Sequence, residues 1–189
     1  NRPQPTAFES INPYAKGLDF QHQENQFNDF AREVLLPHRQ STLGPGLAKG
    51  DVNGDGLDDL YIGGAAGQGS VLYKQQKDGT CTRVSEQPWQ ILDKGCEDMG
   101  AAFFDADNDG DLDLYVVSGG GGEFPPESPL LDNRLYINLD GQGKFGKVGG
   151  GMPNTIASGT IVRPSDFDND GDIDLFIGGG AVPGKYPYP

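Results

Sequence analysis

The chain has 189 residues, and its 35% hydrophobic and 10% aromatic content is that of a globular protein long enough to form a core. Its 30 glycines and 14 prolines favour many short strands joined by tight turns, which predicts an all-β fold. The formal charge of −14, without a basic stripe or an apolar run near twenty residues, argues against nucleic acid as a partner and against membrane insertion.

Residues 1–40 precede the repeated part of the chain and contain both of its histidines, His22 and His38. We predict that this region is an N-terminal extension or part of a preceding unit of the same kind as the repeats. Each histidine is predicted to be a structural or surface residue, because no catalytic triad can be assembled around either of them.

An internal repeat organises the rest of the chain. Three segments, which begin at Asp51, Asp105 and Asp166, align without gaps and read DVNGDGLDDLYIGG, DADNDGDLDLYVVS and DFDNDGDIDLFIGG. Their starts lie 54 and 61 residues apart, a period that fits one four-stranded propeller blade per repeat. Fourteen of the 28 acidic residues lie in these segments, and the other fourteen equal the 14 Lys and Arg in number. The negative charge is therefore local.

Each repeat is predicted to begin with a β-hairpin around its acidic segment. Short apolar runs ahead of the segments predict a first strand, at 46–49, 100–104 and 159–162. The runs that follow lack alternation and predict a second strand buried on both faces between neighbouring blades, at 60–62, 114–117 and 175–177.

Third and fourth strands are predicted in the first two repeats. Residues 70–73 and 134–138 have strand character, and the turn signals at 77–79 and 140–141 lead into a fourth strand. The third repeat reaches only its first hairpin. We therefore predict a partial β-propeller of four-stranded antiparallel blades, about two and a half in number, with repeats at 41–90, 91–150 and 151–189.

The acidic segments follow the pattern D-x-[DN]-x-D-G-x-x-D, which predicts calcium-binding hairpin loops. Calcium takes about 6 to 8 oxygen ligands, and positions 1, 3, 5 and 9 supply side-chain oxygens while position 7 can offer its carbonyl. Glycine at position 6 permits the sharp reversal of the chain. Four or five acids packed so closely would repel one another without a cation.

About three Ca²⁺ ions are thus expected. The predicted ligands of the first loop are Asp51, Asn53, Asp55, the Leu57 carbonyl and Asp59. Those of the second are Asp105, Asp107, Asp109, the Asp111 carbonyl and Asp113. Those of the third are Asp166, Asp168, Asp170, the Asp172 carbonyl and Asp174.

Two other interpretations of the loops fit the residues less well. An EF-hand requires a bidentate Glu at position 12, where this chain has Ile62, Val116 and Ile177. Plain polar hairpin turns would also be rich in Asp, Asn and Gly, but one such turn does not explain three copies with the same spacing. Magnesium is disfavoured by the number of ligands.

Two cysteines, Cys81 and Cys96, either form a disulfide or are unrelated thiols, because their spacing does not establish that their Cβ atoms meet. A bridge would support an oxidising compartment. The sequence is compatible with both alternatives.

Sequence motifs of catalysis are missing: there is no G-x-S-x-G, no H-E-x-x-H and no Walker-type G-K-[ST]. We predict no catalytic residue, and we do not assign a glycosidase pair to the scattered acids Glu97, Asp98, Glu123 and Glu127. The aromatic residues, Trp89, Tyr73 and Tyr136 among them, are predicted to pack between blades rather than to stack on sugars.

The acidic loops followed by DLYIGG, DLYVVSGG and DLFIGG resemble FG-GAP repeats, also called VCBS-type repeats, of integrin α-subunit propellers and of many bacterial secreted proteins. The resemblance covers roughly residues 41–189, and NRLYINLDGQGKF at 133–145 is similar to the second half of the bacterial repeat. It implies a propeller of about seven blades with one calcium ion in the first hairpin of several of them.

Together these features predict a non-enzymatic, calcium-binding extracellular or cell-surface module that binds or scaffolds protein or glycan partners. The expected location is secreted, periplasmic or on the cell surface. One alternative is a fragment of a propeller-type polysaccharide-degrading enzyme, and another is an assembly factor for exported proteins. An incomplete propeller leaves a blade edge open, so self-association is also expected.

Overall fold

The computed structural model describes residues 9–150, 153 and 158–187. Strand makes up 30% and helix 9% of the structure, which confirms the predicted all-β class. Sheet 1 comprises β1 (Leu47–Gly50), β2 (Asp59–Ile62), β3 (Val71–Gln75) and β4 (Cys81–Val84). Sheet 2 comprises β5 (Asp98–Phe104), β6 (Asp113–Ser118), β7 (Arg134–Asn138) and β8 (Phe145–Lys147). Sheet 3 comprises β9 (Gly159–Ser165) and β10 (Asp174–Gly179).

All three sheets are antiparallel, and the strands of each lie side by side in chain order. This is the arrangement expected of two four-stranded blades followed by the first hairpin of a third, that is, of a partial propeller. The short helices are α1 (Asp29–Arg32) and α2 (Pro88–Ile91), and 3₁₀ turns lie at Tyr14–Lys16, Gly121–Glu123 and Pro129–Leu131. The boundaries proposed between repeats remain predictions.

The first strands of successive sheets pack directly against one another, β1 on β5 and β5 on β9. Two glycines allow this close approach. A Cβ on Gly46 would lie 2.9 Å from the backbone of Gly100, and a Cβ on Gly100 would lie 3.1 Å from the Cα of Ile161. The glycines at the start of each repeat therefore have a packing role, since any side chain there would push the sheets apart.

An aromatic layer fills the space between sheets 1 and 2. Trp89 on α2 is fully buried, and its ring centroid lies 5.4 Å from Tyr61 of β2, 5.1 Å from Tyr136 of β7 and 5.4 Å from Phe145 of β8. These edge-on and tilted contacts join both sheets through one side chain. The predicted inter-blade packing is confirmed for Trp89 and Tyr136.

Tyr73 of β3 has a different role from the predicted one. It is buried, but its hydroxyl accepts hydrogen bonds from the backbone N–H groups of Asp19 and Phe20, at 3.1 and 2.9 Å, and donates one to the Asp19 carboxylate. Tyr73 thus attaches the segment before the first repeat to sheet 1. Sequence alone could not indicate this partner, which lies more than fifty positions away.

Burial of the second strands depends on their neighbours. Every residue of β6 is buried, as predicted, because sheet 2 lies between the other two. In β2 the prediction holds only in part, because Leu60 and Ile62 are half-buried. It is wrong for β10, where Leu175 and Ile177 are half-buried and Phe176 is 69% exposed. Among the described residues no further strand covers this side of sheet 3, so the apolar face of β10 stays in contact with solvent.

A buried ion pair links sheets 1 and 2 at the end of the sheets where β5 begins. Arg134 Nη2 lies 2.5 Å from Asp98 Oδ1, and both side chains are nearly inaccessible to solvent. The other oxygen of Asp98 accepts hydrogen bonds from Tyr61, at 2.7 Å, and from the Ser70 hydroxyl. The guanidinium also donates to Ser118 Oγ at 3.1 Å. A charge buried this deeply needs such partners.

The two cysteines are separate in the structure. Cys81 begins β4 and is partly exposed, whereas Cys96 is buried just before β5, and both are free thiols. The disulfide alternative is therefore not realised in this structure. Burial raises the pKa of the Cys96 thiol, which lowers its reactivity.

We predict that Arg134→Met destabilises the protein by about 3 to 5 kcal/mol, because it leaves the Asp98 carboxylate buried without its counter-charge. Urea unfolding would measure this change. Arg83→Met is the matched control, since Arg83 forms a surface pair with Asp19 at 3.6 Å that should contribute at most about 1 kcal/mol. Equal losses in the two variants would contradict a structural role for the buried pair.

Candidate metal-binding loops

The three acidic segments connect the first two strands of each sheet. They are named loop 1 (51–58), loop 2 (105–112) and loop 3 (166–173), and the aspartate at position 9 begins the next strand. In each sheet this aspartate pairs in register with the last residue before the loop: Gly50 with Asp59, Phe104 with Asp113, and Ser165 with Asp174. The residues that flank each loop are therefore paired in the same register in all three sheets.

One hydrogen bond at the centre of the loop joins the same two positions in all three loops. The carboxylate at position 1 accepts a bond from the backbone N–H of the glycine at position 6. The distances are 2.7 Å for Asp51 and Gly56, 3.0 Å for Asp105 and Gly110, and 3.2 Å for Asp166 and Gly171. The first carboxylate is thereby turned into the loop, where the other acidic side chains lie.

Two further bonds repeat as well. The carboxylate at position 5 accepts from the N–H at position 7, and the carboxylate at position 9 accepts from the N–H at position 2. The first distance is 2.9, 3.0 and 2.9 Å in loops 1, 2 and 3. The second is 3.1, 2.8 and 3.0 Å. Three sequences thus fold into one local structure.

Two positions of each loop have left-handed backbone conformation. Position 6 is glycine with φ between 83° and 100°, as the sequence predicted. Position 4, which the sequence analysis did not single out, also has positive φ: 71° at Gly54, 61° at Asn108 and 63° at Asn169. Glycine and asparagine are the residues that adopt this conformation most readily, so the signal was present in the aligned repeats.

Acidic side chains converge in loops 2 and 3. Oxygens of Asp105, Asp107 and Asp109 lie within 4.8 Å of one another, and so do those of Asp166, Asp168 and Asp174. Loop 1, which the structure describes completely, forms no such group of three acids, and it carries Asn53 at position 3. The structure therefore brings together six of the predicted ligands in two groups.

A polar atom in loop 3 has no partner in the protein. Asp166 Oδ1 is buried without a hydrogen bond, while its Oδ2 accepts from Gly171. A buried carboxylate oxygen without a partner is costly. Together with the all-oxygen donor set, this atom fits a hard cation bound among the carboxylates of the loop.

The aspartates at position 9 of the first two loops are more deeply buried than the sequence implies. Both oxygens of Asp59 accept backbone N–H bonds, from Val52 and from Gln75 of β3. Asp113 does the same with Ala106 and Asn138 of β7. These carboxylates join each loop to the third strand of its sheet. Their role as ligands stays a prediction, and each oxygen keeps a second lone pair for it.

The loop electrostatics favour a bound cation. Burial raises the pKa of Asp59 and Asp113, and nearby loop carboxylates add to the increase against the opposing backbone N–H bonds. Burial, followed by repulsion from Asp109 and Asp113, raises the pKa of Asp111 to about 6. In contrast, the pKa of Asp51 is lowered, since four backbone N–H groups outweigh the effect of burial.

Comparison with known families supports the repeat assignment. Residues 51–116, which extend from loop 1 into β6, match the model of an FG-GAP-like repeat. This confirms the resemblance to FG-GAP-type repeats and agrees with the propeller-like sheets. No curated protein matched the chain. Within the described ranges, no helix has the length and apolar character needed to cross a bilayer.

We predict that Asn108→Ala destabilises the protein by about 1 kcal/mol more than Asn108→Gly, because alanine is strained at positive φ and glycine is not. Both variants lose the bond from Asn108 Nδ2 to Asp172 Oδ1, so their difference isolates the backbone. Chemical unfolding in the presence of a chelator would measure it. Equal stability of the two variants would contradict the left-handed conformation at position 4.

Proposed function

Since the chain carries FG-GAP-type repeats in a propeller-like arrangement, we propose that it is a calcium-binding extracellular or cell-surface module that binds or scaffolds other molecules and does not catalyse a reaction. The observation that carries the proposal is the recurrence of one local structure in three loops, each with inward-turned carboxylates held by the same three hydrogen bonds.

Calcium is the cation that best suits these loops. Their ligands are carboxylate, amide and carbonyl oxygens, which suit a hard cation, and a loop with five candidate oxygen donors leaves room for water in a coordination shell of about 6 to 8. The residues that would hold the ions are those predicted from the sequence, at positions 1, 3, 5, 7 and 9 of each loop. The bound ion would neutralise the mutual repulsion of the aspartates.

The role of calcium in this proposal is to make the hairpins rigid. The position-9 carboxylates connect loops 1 and 2 to β3 and β7, so order in a loop extends to the strand beyond it. A site whose dissociation constant is about a hundredfold below the ambient calcium concentration would stabilise the fold by ~2.7 kcal/mol. A rigid frame of this kind suits a surface that presents loops to partners.

Binding rather than catalysis is supported by the surroundings of the residues that could act as acids or bases. Asp98 is paired with Arg134 inside the protein. The His22 ring lies between the Gly63 carbonyl, 3.4 Å from its Nδ1, and the Glu24 carboxylate, 2.7 Å from its Nε2. His38 is exposed to solvent. These contacts suit structural or surface residues, as the sequence analysis expected.

The partners we propose are proteins or glycans outside the cell or in the periplasm. Self-association through the third sheet is included in the proposal, because Phe167 and Phe176 are 86% and 69% exposed there and β10 has no partner on its outer edge among the described strands. Exposed apolar side chains next to an open strand favour pairing with another chain.

We predict that calcium titrated calorimetrically into chelator-treated protein fills about three loop sites. Asp51→Asn, Asp105→Asn and Asp166→Asn should each remove one ion, because each neutralises a position-1 carboxylate. Asp58→Asn is the matched control: it lies in loop 1 at a position that is not a predicted ligand, and its carboxylate pairs with Lys49 at 2.7 Å. Unchanged stoichiometry in all four variants would contradict calcium binding by the loops.

We further predict that calcium raises the melting temperature and that magnesium does so much less, since magnesium demands a smaller octahedral shell. Thermal melts with calcium, magnesium and chelator would measure this. Identical melts in the three conditions would favour plain acidic turns. Depolymerisation of a polysaccharide by the protein would instead contradict the non-enzymatic assignment and favour the enzyme alternative.

A further inference from the structure

Three glutamates come together at the end of the sheets opposite the acidic loops. Glu97 directly precedes β5, Glu24 lies in the segment before the first repeat, and Glu123 ends the 3₁₀ turn that follows β6. Loop 2 lies at the other end of the hairpin formed by β5 and β6. The three residues, named the glutamate cluster, are therefore distinct from the predicted calcium loops.

The oxygens of the glutamate cluster are half satisfied. Glu97 Oε2 accepts a bond from the backbone N–H of Ala66 at 3.2 Å, and Glu123 Oε1 accepts one from Asn25 Nδ2 at 2.7 Å. Glu24 Oε1 lies 2.7 Å from His22 Nε2. The other oxygen of each glutamate, Oε1 of Glu97 and Oε2 of Glu24 and Glu123, is buried and has no hydrogen-bond partner.

Glu97 is the most deeply buried member, with 1% of its surface exposed. Its surroundings disfavour an anion: burial raises the pKa of Glu97 to about 8 against the single N–H bond from Ala66, and Glu24, Glu123 and Asp98 add repulsion. Arg134 is the nearby buried cation, but it is paired with Asp98. The cluster therefore concentrates negative charge that its hydrogen bonds do not balance.

We propose that Glu24, Glu97 and Glu123 bind a divalent cation of the hard, oxygen-seeking class, such as Ca²⁺. One ion can contact all three unpartnered oxygens at once. A proton on Glu97 can be shared with only one other carboxylate, which leaves the third glutamate oxygen without a partner. The side-chain oxygen of Asn25 and water complete a shell of about 6 to 8 oxygens. This site is additional to the loop sites and does not depend on them.

The proposed site is not fully preformed in the structure. Within the described residues, only the loop acids form groups of three oxygens within 4.8 Å, so binding of one ion to all three glutamates requires Glu24 and Glu123 to shift toward Glu97. Both side chains are partly exposed, whereas Glu97 is buried. An open cavity lined by Glu24, Asn25, Arg39 and Thr42 borders the glutamate cluster on the side of Glu24.

The ion would connect three separate parts of the chain. Glu24 belongs to the segment that Tyr73 attaches to sheet 1, Glu97 leads into sheet 2, and Glu123 follows the second strand of sheet 2. A cation at this point would therefore tie the N-terminal segment, which Tyr73 attaches to sheet 1, to sheet 2 as well.

The test is a calcium titration of Glu97→Gln and of Glu127→Gln, an exposed glutamate in the same loop as Glu123. Glu97→Gln should bind one ion fewer than the wild type, and Glu127→Gln should bind the same number. An unchanged number in Glu97→Gln would overturn the proposal. The triple variant Asp51→Asn, Asp105→Asn, Asp166→Asn separates the two kinds of site. It should still bind one ion, and adding Glu97→Gln should remove that ion. If the triple variant binds no ion, the proposal is overturned.

The design separates the loop sites from the glutamate cluster. If the loops bind no calcium, Glu97→Gln should still bind one ion fewer than the wild type. If Glu97→Gln does not fold, crystals of the wild-type protein soaked in Mn²⁺ give the answer. An anomalous peak among the three glutamates supports the site, and a peak at the loops but none at the cluster overturns it.

A shared proton is the competing explanation and has its own signature. The folded-state pKa of Glu97, about 8, lies above its usual 4.5, so the unfolded chain would release the proton first. Wild-type stability would then fall relative to Glu97→Gln as the pH rises between these values. Such a fall that is the same with and without calcium would overturn the proposal, and a fall that calcium abolishes would support it.

Discussion

The buried ion pair between Asp98 and Arg134 is the interaction on which the arrangement of the two complete sheets depends. The Asp98 carboxylate accepts hydrogen bonds from Tyr61 of β2 and from Ser70, which directly precedes β3, while Arg134 belongs to β7. Both sheets therefore share one polar centre. A buried charge without a partner is destabilising, so an arrangement of the sheets that brings Asp98 and Arg134 together is favoured over one that separates them. The apolar layer around Trp89 includes Tyr61, whose hydroxyl bonds to Asp98, so the apolar and polar contacts between the sheets are continuous.

Burial of charge is also what connects the loops to the sheets. The position-9 aspartates are inaccessible to solvent in loops 1 and 2, where each carboxylate receives backbone N–H bonds from its loop and from the third strand. In loop 3 the Asp174 carboxylate receives only the bond from within its loop, from the Phe167 N–H. The described part of sheet 3 has two strands and therefore offers no third strand to bond to it. The same loop sequence is therefore held more firmly where a blade is complete.

Much of the architecture could be predicted because the repeats carry local signals. Glycine and asparagine mark the left-handed positions, alternate aspartates mark the loop interior, and the apolar runs mark the strands, so loops 1 to 3 and the four-strand order followed from pattern alone. Position 4 was missed although Gly54, Asn108 and Asn169 signal it. The expected burial of β10 failed because burial depends on a neighbouring sheet and not on the strand itself.

The sequence by itself determined the local chemistry: which residues turn the chain, which carboxylates share a loop, and which strands follow. Only the tertiary structure decided which distant groups meet, as when Glu24, Glu97 and Glu123 converge or Asp98 finds Arg134. The physical reason is the range of the interactions. Backbone turns and neighbouring charges act over a few residues, whereas the burial of a charge is set by the whole packed molecule.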